Sequence, residues 1–409
     1  MANPKQFLCF VPFLENIMNL QRRKFLGAGL AGALATATAT AAHAVPSKEE
    51  NVIALRTMGS FAFGGTIDRL PDGTTFHGDH GYAQYYVAAH SHTLPIVMWH
   101  GIGQSGKTYE STPDGREGYQ ALLPRRDWSV YIVDQPRRGR AGYTNAKNSG
   151  PEIPTTASEA GVWNAFRNGL WVASGKPTIY ADSQFPVSGA AVDQFFRQQT
   201  PGTGDEPSTA EFRLFMGKTG AALFDRIGDG ILITHSNSGQ YGWEIAMATK
   251  KVRAIVAYEP GACAFPNEEP PADVPAKTEA VAARMYPRMV PMVHWQALTK
   301  IPILIVFGDH ISDEPSEIFN VDVWRIARER ARQFVKQINA HGGDATLIEL
   351  PKLGIRGNTH AAFADKNNLE ILNLMTKWFA EKKLDGYEHP HTGPAPLELP
   401  MSITLETTK

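Results

Sequence analysis

The sequence predicts an α/β fold: a mostly parallel central sheet, helices on both of its faces, and a helical cap inserted into one crossover. Three observations predict it. Short runs of apolar β-formers alternate with stretches of helical period, the pattern of a parallel sheet covered on both sides. The interval 144–229, between two of those strands, is too long for a simple crossover and carries helical patterns of its own. One strand also ends abruptly in small and polar residues, Thr234-His235-Ser236-Asn237-Ser238-Gly239, where a sharp strand-to-helix turn belongs.

Taken in order, residues 51–65 and 82–88 read as antiparallel strands that open the sheet, with Asp72-Gly73 as a turn between them. Pro95–Trp99 is a short apolar strand ending at His100-Gly101. Trp128–Val133 is the next and ends at Asp134. Gly230–Ile233, Val252–Tyr258, Ile301–Phe307 and Ala345–Leu350 complete the series. Helices are expected at 239–250, 321–340 and 362–383. Within 144–229 the patterns fall at 158–171, 188–198 and 209–226. Their aromatic residues (Trp163, Phe166, Trp171, Phe195, Phe196, Phe212, Phe215 and Phe224) read as the core of the cap. The expected organisation is therefore a core of 45–143 and 230–385, a cap of 144–229, and an extended Pro/Gly-rich tail of 386–409.

With 43% hydrophobic and 20% charged residues, the 409-residue chain can bury a large core without cross-links. A formal net charge of −1 gives no electrostatic case for nucleic acid or a membrane surface. The N-terminus reads as a targeting segment, residues 1–44. Arg22-Arg23-Lys24-Phe25-Leu26 is a twin-arginine pattern, a weakly apolar run follows, and Ala42-His43-Ala44 fits a small-x-small cleavage site. Met18 offers a second start. The expected mature chain begins near Val45 and is exported folded by the twin-arginine machinery, to the periplasm or beyond, with no membrane span. Of the two cysteines, Cys9 and Cys263, only Cys263 would survive cleavage, so no intrachain disulfide is expected. The oligomeric state is left open, a dimer included.

The turn after the third parallel strand has the layout of a nucleophile elbow, which lifts a serine hydroxyl into the open and demands small neighbours. Ser236 is the serine with small residues on both sides: Thr234 before it, Ser238 and Gly239 after it. Thr234 and Ser238 stand where glycine is usual. A serine nucleophile needs a base, an orienting acid and an oxyanion hole. His360, in a loop after the last strand, is where the base belongs; His341, at a polar helix end, is a poorer choice. Glu259, Asp309 and Asp313 each follow a parallel strand, and spacing does not choose the acid among them. The oxyanion donors expected are the N–H groups of Asn237 and of Ile102, the latter in His100-Gly101-Ile102-Gly103.

A rival motif occupies the same loop. Gly101–Thr108 matches the phosphate-binding pattern G-x-x-x-x-G-K-[ST] and follows an apolar strand, with Asp134 at the end of the next. Against it, Tyr109-Glu110-Ser111-Thr112-Pro113 breaks the helix that should follow, and an exported protein meets little nucleotide. A non-catalytic binding protein of the same fold is the other alternative. His90-x-His92, His389-x-His391 and His77-x-x-His80 lack further ligands nearby, so no metal is expected.

Together these residues resemble a small family of bacterial α/β-hydrolase-fold esterases with a Ser–Glu–His triad. The resemblance covers most of 50–383. It rests on His100-Gly101, Thr112-Pro113-Asp114-Gly115-Arg116, Asp134-Gln135-x-x-Arg138-Gly139-Arg140, Thr234-His235-Ser236-x-Ser238-Gly239, Glu259-Pro260-Gly261 and Gly354-Ile355-x-Gly357-Asn358-x-His360. It implies the α/β-hydrolase fold and a serine esterase acting through an acyl-enzyme on a small-molecule ester, with no cofactor. It also implies Ser236, His360 and Glu259 as the triad, with Asp309 the fallback acid, and Ile102 and Asn237 as oxyanion donors. The loop after His100-Gly101 and the residue at 237 depart from the family pattern. The aromatic cap, with Met285, Met289, Met292 and Trp295, suggests an apolar acyl or aryl pocket, although core packing accounts for the same residues.

Overall fold

A computed structural model of the chain describes residues 52–142, 157–171, 175–199, 202–204, 206–387 and 393–394. The expected targeting segment 1–44, with Met18 and the cleavage site, lies outside the described residues, as do 144–156 of the expected cap and most of the expected tail.

Among the described residues eight strands form the main sheet: β1 (Leu55–Phe63), β2 (Gly81–Ala88), β3 (Ile96–Trp99), β4 (Val130–Asp134), β5 (Gly230–His235), β6 (Val252–Tyr258), β7 (Pro302–Phe307) and β8 (Asp344–Glu349). Across the sheet they run β1-β2-β4-β3-β5-β6-β7-β8. The β1–β2 and β2–β4 pairs are antiparallel and the others parallel. Every residue of β3, β4 and β5 is buried, which is why these strands read as continuous apolar runs rather than alternating ones. The alternation survives in direction. Leu232 packs into the core on one face, while Ile231 and Ile233 pack into the core on the other. Asp72-Gly73 closes a hairpin, Thr66–Arg69 with Thr75–Gly78, that the sequence reading did not resolve between β1 and β2.

Among the described residues seven longer helices accompany the sheet: α1 (Glu159–Ala165), α2 (Gly189–Arg197), α3 (Ala210–Ile227), α4 (Ser238–Ala248), α5 (Glu279–Arg284), α6 (Phe319–Ala340) and α7 (Asn368–Glu381). Four start at a hydroxyl cap: Ser158, Ser188, Thr209 and Thr278 accept from the N–H three residues on. The expected helix 362–383 is divided. A single tight turn at 362–364 precedes α7, because Asp365 leaves the helix to accept hydrogen bonds from Thr359 and Asn358.

The expected cap 144–229 divides as well. Phe212, Met216, Leu223, Phe224 and Ile227 of α3 belong to the core cluster that holds Val97, Leu232 and Ile255 of the sheet. Gly217 and Gly220 let α3 lie close along α4: a Cβ on Gly217 would stand 2.8 Å from Glu244 Cβ, and one on Gly220 2.3 Å from Ile245 Cδ1. The helix expected at 209–226 therefore covers the sheet, since its apolar face finds α4 and β1 there. The aromatics of α1 and α2 do pack on one another: Trp163 meets Trp171, Phe185 and Phe196, and Phe195 meets Phe166 and Phe185.

Candidate active site

Strand β5 ends at His235, and α4 begins at Ser238. Between them Ser236 takes a left-handed backbone conformation, φ 56°. For a residue with a Cβ that costs roughly 1–2 kcal/mol. Three backbone bonds hold it: Ser236 N–H donates to Tyr258 O at 2.9 Å, and Ser236 O accepts from Gly239 N–H at 3.0 Å and Gly261 N–H at 2.8 Å. The structure also explains why Thr234 and Ser238 stand where glycine is usual. Ser238 Oγ accepts from His235 N–H at 2.9 Å and lies 3.0 Å from the Trp99 carbonyl, tying the turn to β3. The room Thr234 needs is made at Gly242, where a Cβ would come within 2.8 Å of the Thr234 methyl. The turn's other tight approach is at Gly239, where a Cβ would meet Pro260 Cβ at 2.5 Å.

The loop after β3 comes against this turn. A Cβ on Gly101 would stand 3.0 Å from Ser236 Cβ. Buried His100 orients the loop: its Nδ1 donates to Gly101 O at 2.8 Å and its Nε2 accepts from Gln135 N–H at 3.2 Å. Burial holds the ring's pKa below the usual histidine range, so it is neutral, as those two bonds require. The N–H groups of Ile102 and Asn237, the expected oxyanion donors, donate to no acceptor among the described residues.

His360 follows β8 in the loop 354–361. Its N–H donates to Phe166 O at 2.9 Å, and Nδ1 meets Glu259 Oε2 at 2.5 Å. Its ring lies between Trp324 (centroids 4.1 Å), Phe166 (5.1 Å, edge-on) and His235 (4.5 Å), the residue next to Ser236. Asp365 holds the loop from below by accepting from Thr359 N–H and Oγ1 and from Asn358 Nδ2. Arg116, from the segment between β3 and β4, ties down the same turn through Asp365 O, Lys366 O and Asn368 Oδ1.

Of the three acids that spacing left open, Glu259 alone touches His360. Asp309 instead accepts its own neighbour's N–H, from His310, and that of Gly357 at 2.9 Å. Asp313 is exposed and paired with Arg328. Glu259 sits at φ 44° on the end of β6 and is almost fully buried. Its Oε1 accepts from Gly308 N–H at 2.6 Å and Arg167 Nη2 at 2.5 Å, and its Oε2 from Arg167 Nη1 at 2.7 Å. Burial alone would raise its pKa, but the Arg167 charge and His360 more than offset that and bring it to about 2. His360 is displaced below the usual histidine range, first by burial, with Glu259 opposing and Arg167 adding to the shift.

Arg167 was not visible in the sequence. It lies just past α1, in the expected cap, where it reads as one more polar residue among aromatics. Its Nε also donates to Asp309 O at 2.9 Å, and its guanidinium lies 5.6 Å from the Trp324 ring.

The phosphate-loop pattern Gly101–Thr108 is put to other use. Gly106 N–H donates to Asp134 Oδ1 at 2.6 Å, and Asp134 also takes Arg140 N–H and Nε. Lys107 Nζ bonds Ser111, and the helix that follows has one turn, Lys107–Glu110. The Gly106 N–H, the Lys107 ammonium and the Asp134 carboxylate are thus engaged within the fold. Asp182, Asp309 and His310 bring three potential metal-ligand atoms within 4.8 Å of one another, but the Asp309 carboxylate already serves two backbone N–H groups.

No family model matches the chain. A curated relative, "Probable secreted lipase phiG" of Fungal sp. (strain ATCC 74256), is 28% identical over 340 residues, which span 74% of this chain and 86% of that one. Among solved structures, a novel bacterial esterase is 29% identical with a TM-score of 0.61, over 81% of this chain and 97% of that one.

The Glu259–Arg167 pair makes a stability prediction. Glu259→Gln or Arg167→Met leaves one buried charge uncompensated, and each is expected to cost about 3–5 kcal/mol in urea unfolding. The double variant should cost clearly less than the sum. Additive losses would show that the two side chains do not depend on each other.

Proposed function

We infer that this chain, an α/β-hydrolase similar to a bacterial esterase and to a secreted lipase, is a carboxylic ester hydrolase with Ser236, His360 and Glu259 as its triad. The observation that carries the triad is the His360 Nδ1–Glu259 Oε2 contact of 2.5 Å, with the imidazole against His235, the residue before the elbow Ser236 at φ 56°.

In this reading His360 Nε2 takes the proton of Ser236 as Oγ attacks the ester carbonyl. Glu259 keeps the proton on Nδ1 and stabilises the imidazolium that forms. The N–H groups of Ile102 and Asn237 receive the oxyanion, each contributing about 3 kcal/mol of barrier lowering. The alcohol leaves with the proton from His360, and water activated by the same imidazole releases the acid from the acyl-enzyme. No cofactor enters. The substrate is a small or medium ester with an apolar acyl or aryl body, for which exposed Ile102 on the oxyanion loop and Phe166 beside His360 provide the contacts.

A fluorophosphonate probe should label Ser236 of the folded protein and leave Ser236→Ala unlabelled. Absence of labelling, with no turnover of p-nitrophenyl esters, favours a non-catalytic binding protein instead. The base works only when neutral, and His360 is held below the usual range. The acid limb of kcat/KM should therefore lie below pH 6.5; a limb above pH 6.5 contradicts the assignment. Glu259→Gln should lower kcat far more than Asp309→Asn, and the reverse result would restore Asp309 as the acid.

Export by the twin-arginine route is the accompanying proposal, supported by the sequence of residues 22–44 and by the secreted relative. Among the described residues no helix is long and apolar enough to cross a membrane. N-terminal sequencing of exported protein should find a start near Val45; an intact N-terminus in the exported fraction would refute cleavage.

A further inference from the structure

Of the five buried arginine nitrogens that have no acceptor among the described residues, two are Arg284 Nη1 and Arg288 Nε. These two belong to a group of three guanidinium side chains. Arg213 lies in the first turn of α3, Arg284 ends α5, and Arg288 opens the short strand Arg288–Val290. Their hydrogen bonds are few: Arg213 Nη1 donates to Ser208 O at 3.4 Å and Arg288 Nη2 to Ser208 Oγ at 2.8 Å. Arg284 makes none, and none of the three forms an ion pair among the described residues.

Three like charges partly withdrawn from water are unfavourable without a counter-charge. The strain registers on Arg288, whose pKa falls to about 10, through burial first and then through Arg213 and Arg284. Glu244 faces Arg213 from α4, but it stands beyond ion-pair reach and burial raises its pKa. Elsewhere in the fold arginines meet carboxylates directly, as Arg138 does with Glu206 and Arg137 with Asp79.

Packing ties the group to the elbow helix: Phe212, the neighbour of Arg213, meets Tyr241 of α4 at 6.1 Å between ring centroids. The Arg284 charge acts on Tyr241, one turn along α4 from Asn237. The Tyr241 hydroxyl accepts from Asn237 Nδ2 at 3.0 Å, and Asn237 follows Ser236. The methionines that suggested an apolar pocket in this stretch behave differently. Met285 and Trp295 are buried in the core and Met289 and Met292 pack against it, while the unsatisfied donors of this stretch are those of Arg284 and Arg288.

We propose that Arg213, Arg284 and Arg288 form a subsite for a carboxylate on the substrate, so that the preferred ester carries a second, ionised carboxyl group. Guanidinium donors with free N–H groups bind a carboxylate by charge-assisted hydrogen bonds. A half-buried site strengthens those bonds relative to open water. The proposal rests on the ester-hydrolase reading and deepens it.

Matched substrates test it with the carboxylate placed on either side of the ester: monoethyl glutarate against ethyl hexanoate, and para-(carboxymethyl)phenyl butyrate against para-ethylphenyl butyrate. In at least one pair the anionic ester should show a kcat/KM about tenfold or more above its neutral partner, as a charge-assisted contact implies. That ratio should collapse towards one in Arg284→Met and in Arg288→Met, whose side chains keep the apolar stem. Arg284→Lys should restore part of it. Equal or lower rates for the anionic ester in both pairs, or a ratio unchanged in the Met variants, would overturn the subsite. Because Arg284 has no ion pair to lose among the described residues, Arg284→Met should unfold at a midpoint no lower than the parent. A binding measurement separates this proposal from the hydrolase reading. Glutarate at constant ionic strength should raise the thermal midpoint of Ser236→Ala protein and fail to do so when Arg284→Met is added. No rise in Ser236→Ala refutes the subsite, whether or not any ester is hydrolysed.

Discussion

The carboxylate of Glu259 is the group on which the rest of the site depends. It is buried at the end of β6, where an ionised acid without partners would be strongly disfavoured. Three partners from distant parts of the chain keep it charged: the Arg167 fork, the Gly308 N–H at the end of β7, and His360. If the Arg167 fork is removed, burial favours protonation of Glu259, and the anion that would hold the His360 tautomer is weakened. The arrangement couples the inserted segment to the chemistry. Ala165 O accepts from Trp324 Nε1, Phe166 O accepts from His360 N–H, and Arg167 binds Glu259, so three consecutive residues at the end of α1 hold Trp324, His360 and Glu259.

The sheet contributes position. Ser236, Glu259 and His310 all have positive φ, and each falls within three residues of the end of a parallel strand: β5, β6 and β7 in turn. A sharp turn at a strand end throws the next side chain upward over the sheet rather than continuing along it. Such turns crowd the backbone, and glycines at 101, 239 and 242 absorb that crowding around the first of them. At the second, Gly308 approaches Glu259 so closely that a Cβ would stand 3.0 Å from Oε1 and 2.6 Å from Thr359 O.

Most of this scaffold was legible because it follows from local pattern. Fully buried parallel strands announce themselves as apolar runs, and the elbow residues must be small whatever the sequence around them. The expected strand Val252–Tyr258 matches β6 residue for residue. What was not legible depends on tertiary contact. Helix α3 resembles the cap helices in sequence because all are rich in aromatics, and only its packing on α4 and β1 shows that it covers the sheet. The choice among Glu259, Asp309 and Asp313 was open because each follows a strand, and strand position says nothing of which carboxylate reaches His360. Arg167 carries no spacing signal, and the arginine group at 213, 284 and 288 joins residues about seventy positions apart.

The most direct test of the account is the pH dependence of kcat/KM in Arg167→Met and Arg167→Lys beside the parent protein. Arg167 lowers the pKa of His360 and keeps Glu259 ionised. Removing its charge should therefore move the acid limb to higher pH and lower kcat on the plateau, while Arg167→Lys should keep the limb near its original place. A plateau lowered in both variants with the acid limb unmoved would mean that Arg167 supports the fold alone, and would contradict the charge coupling between the inserted segment and the acid–base pair.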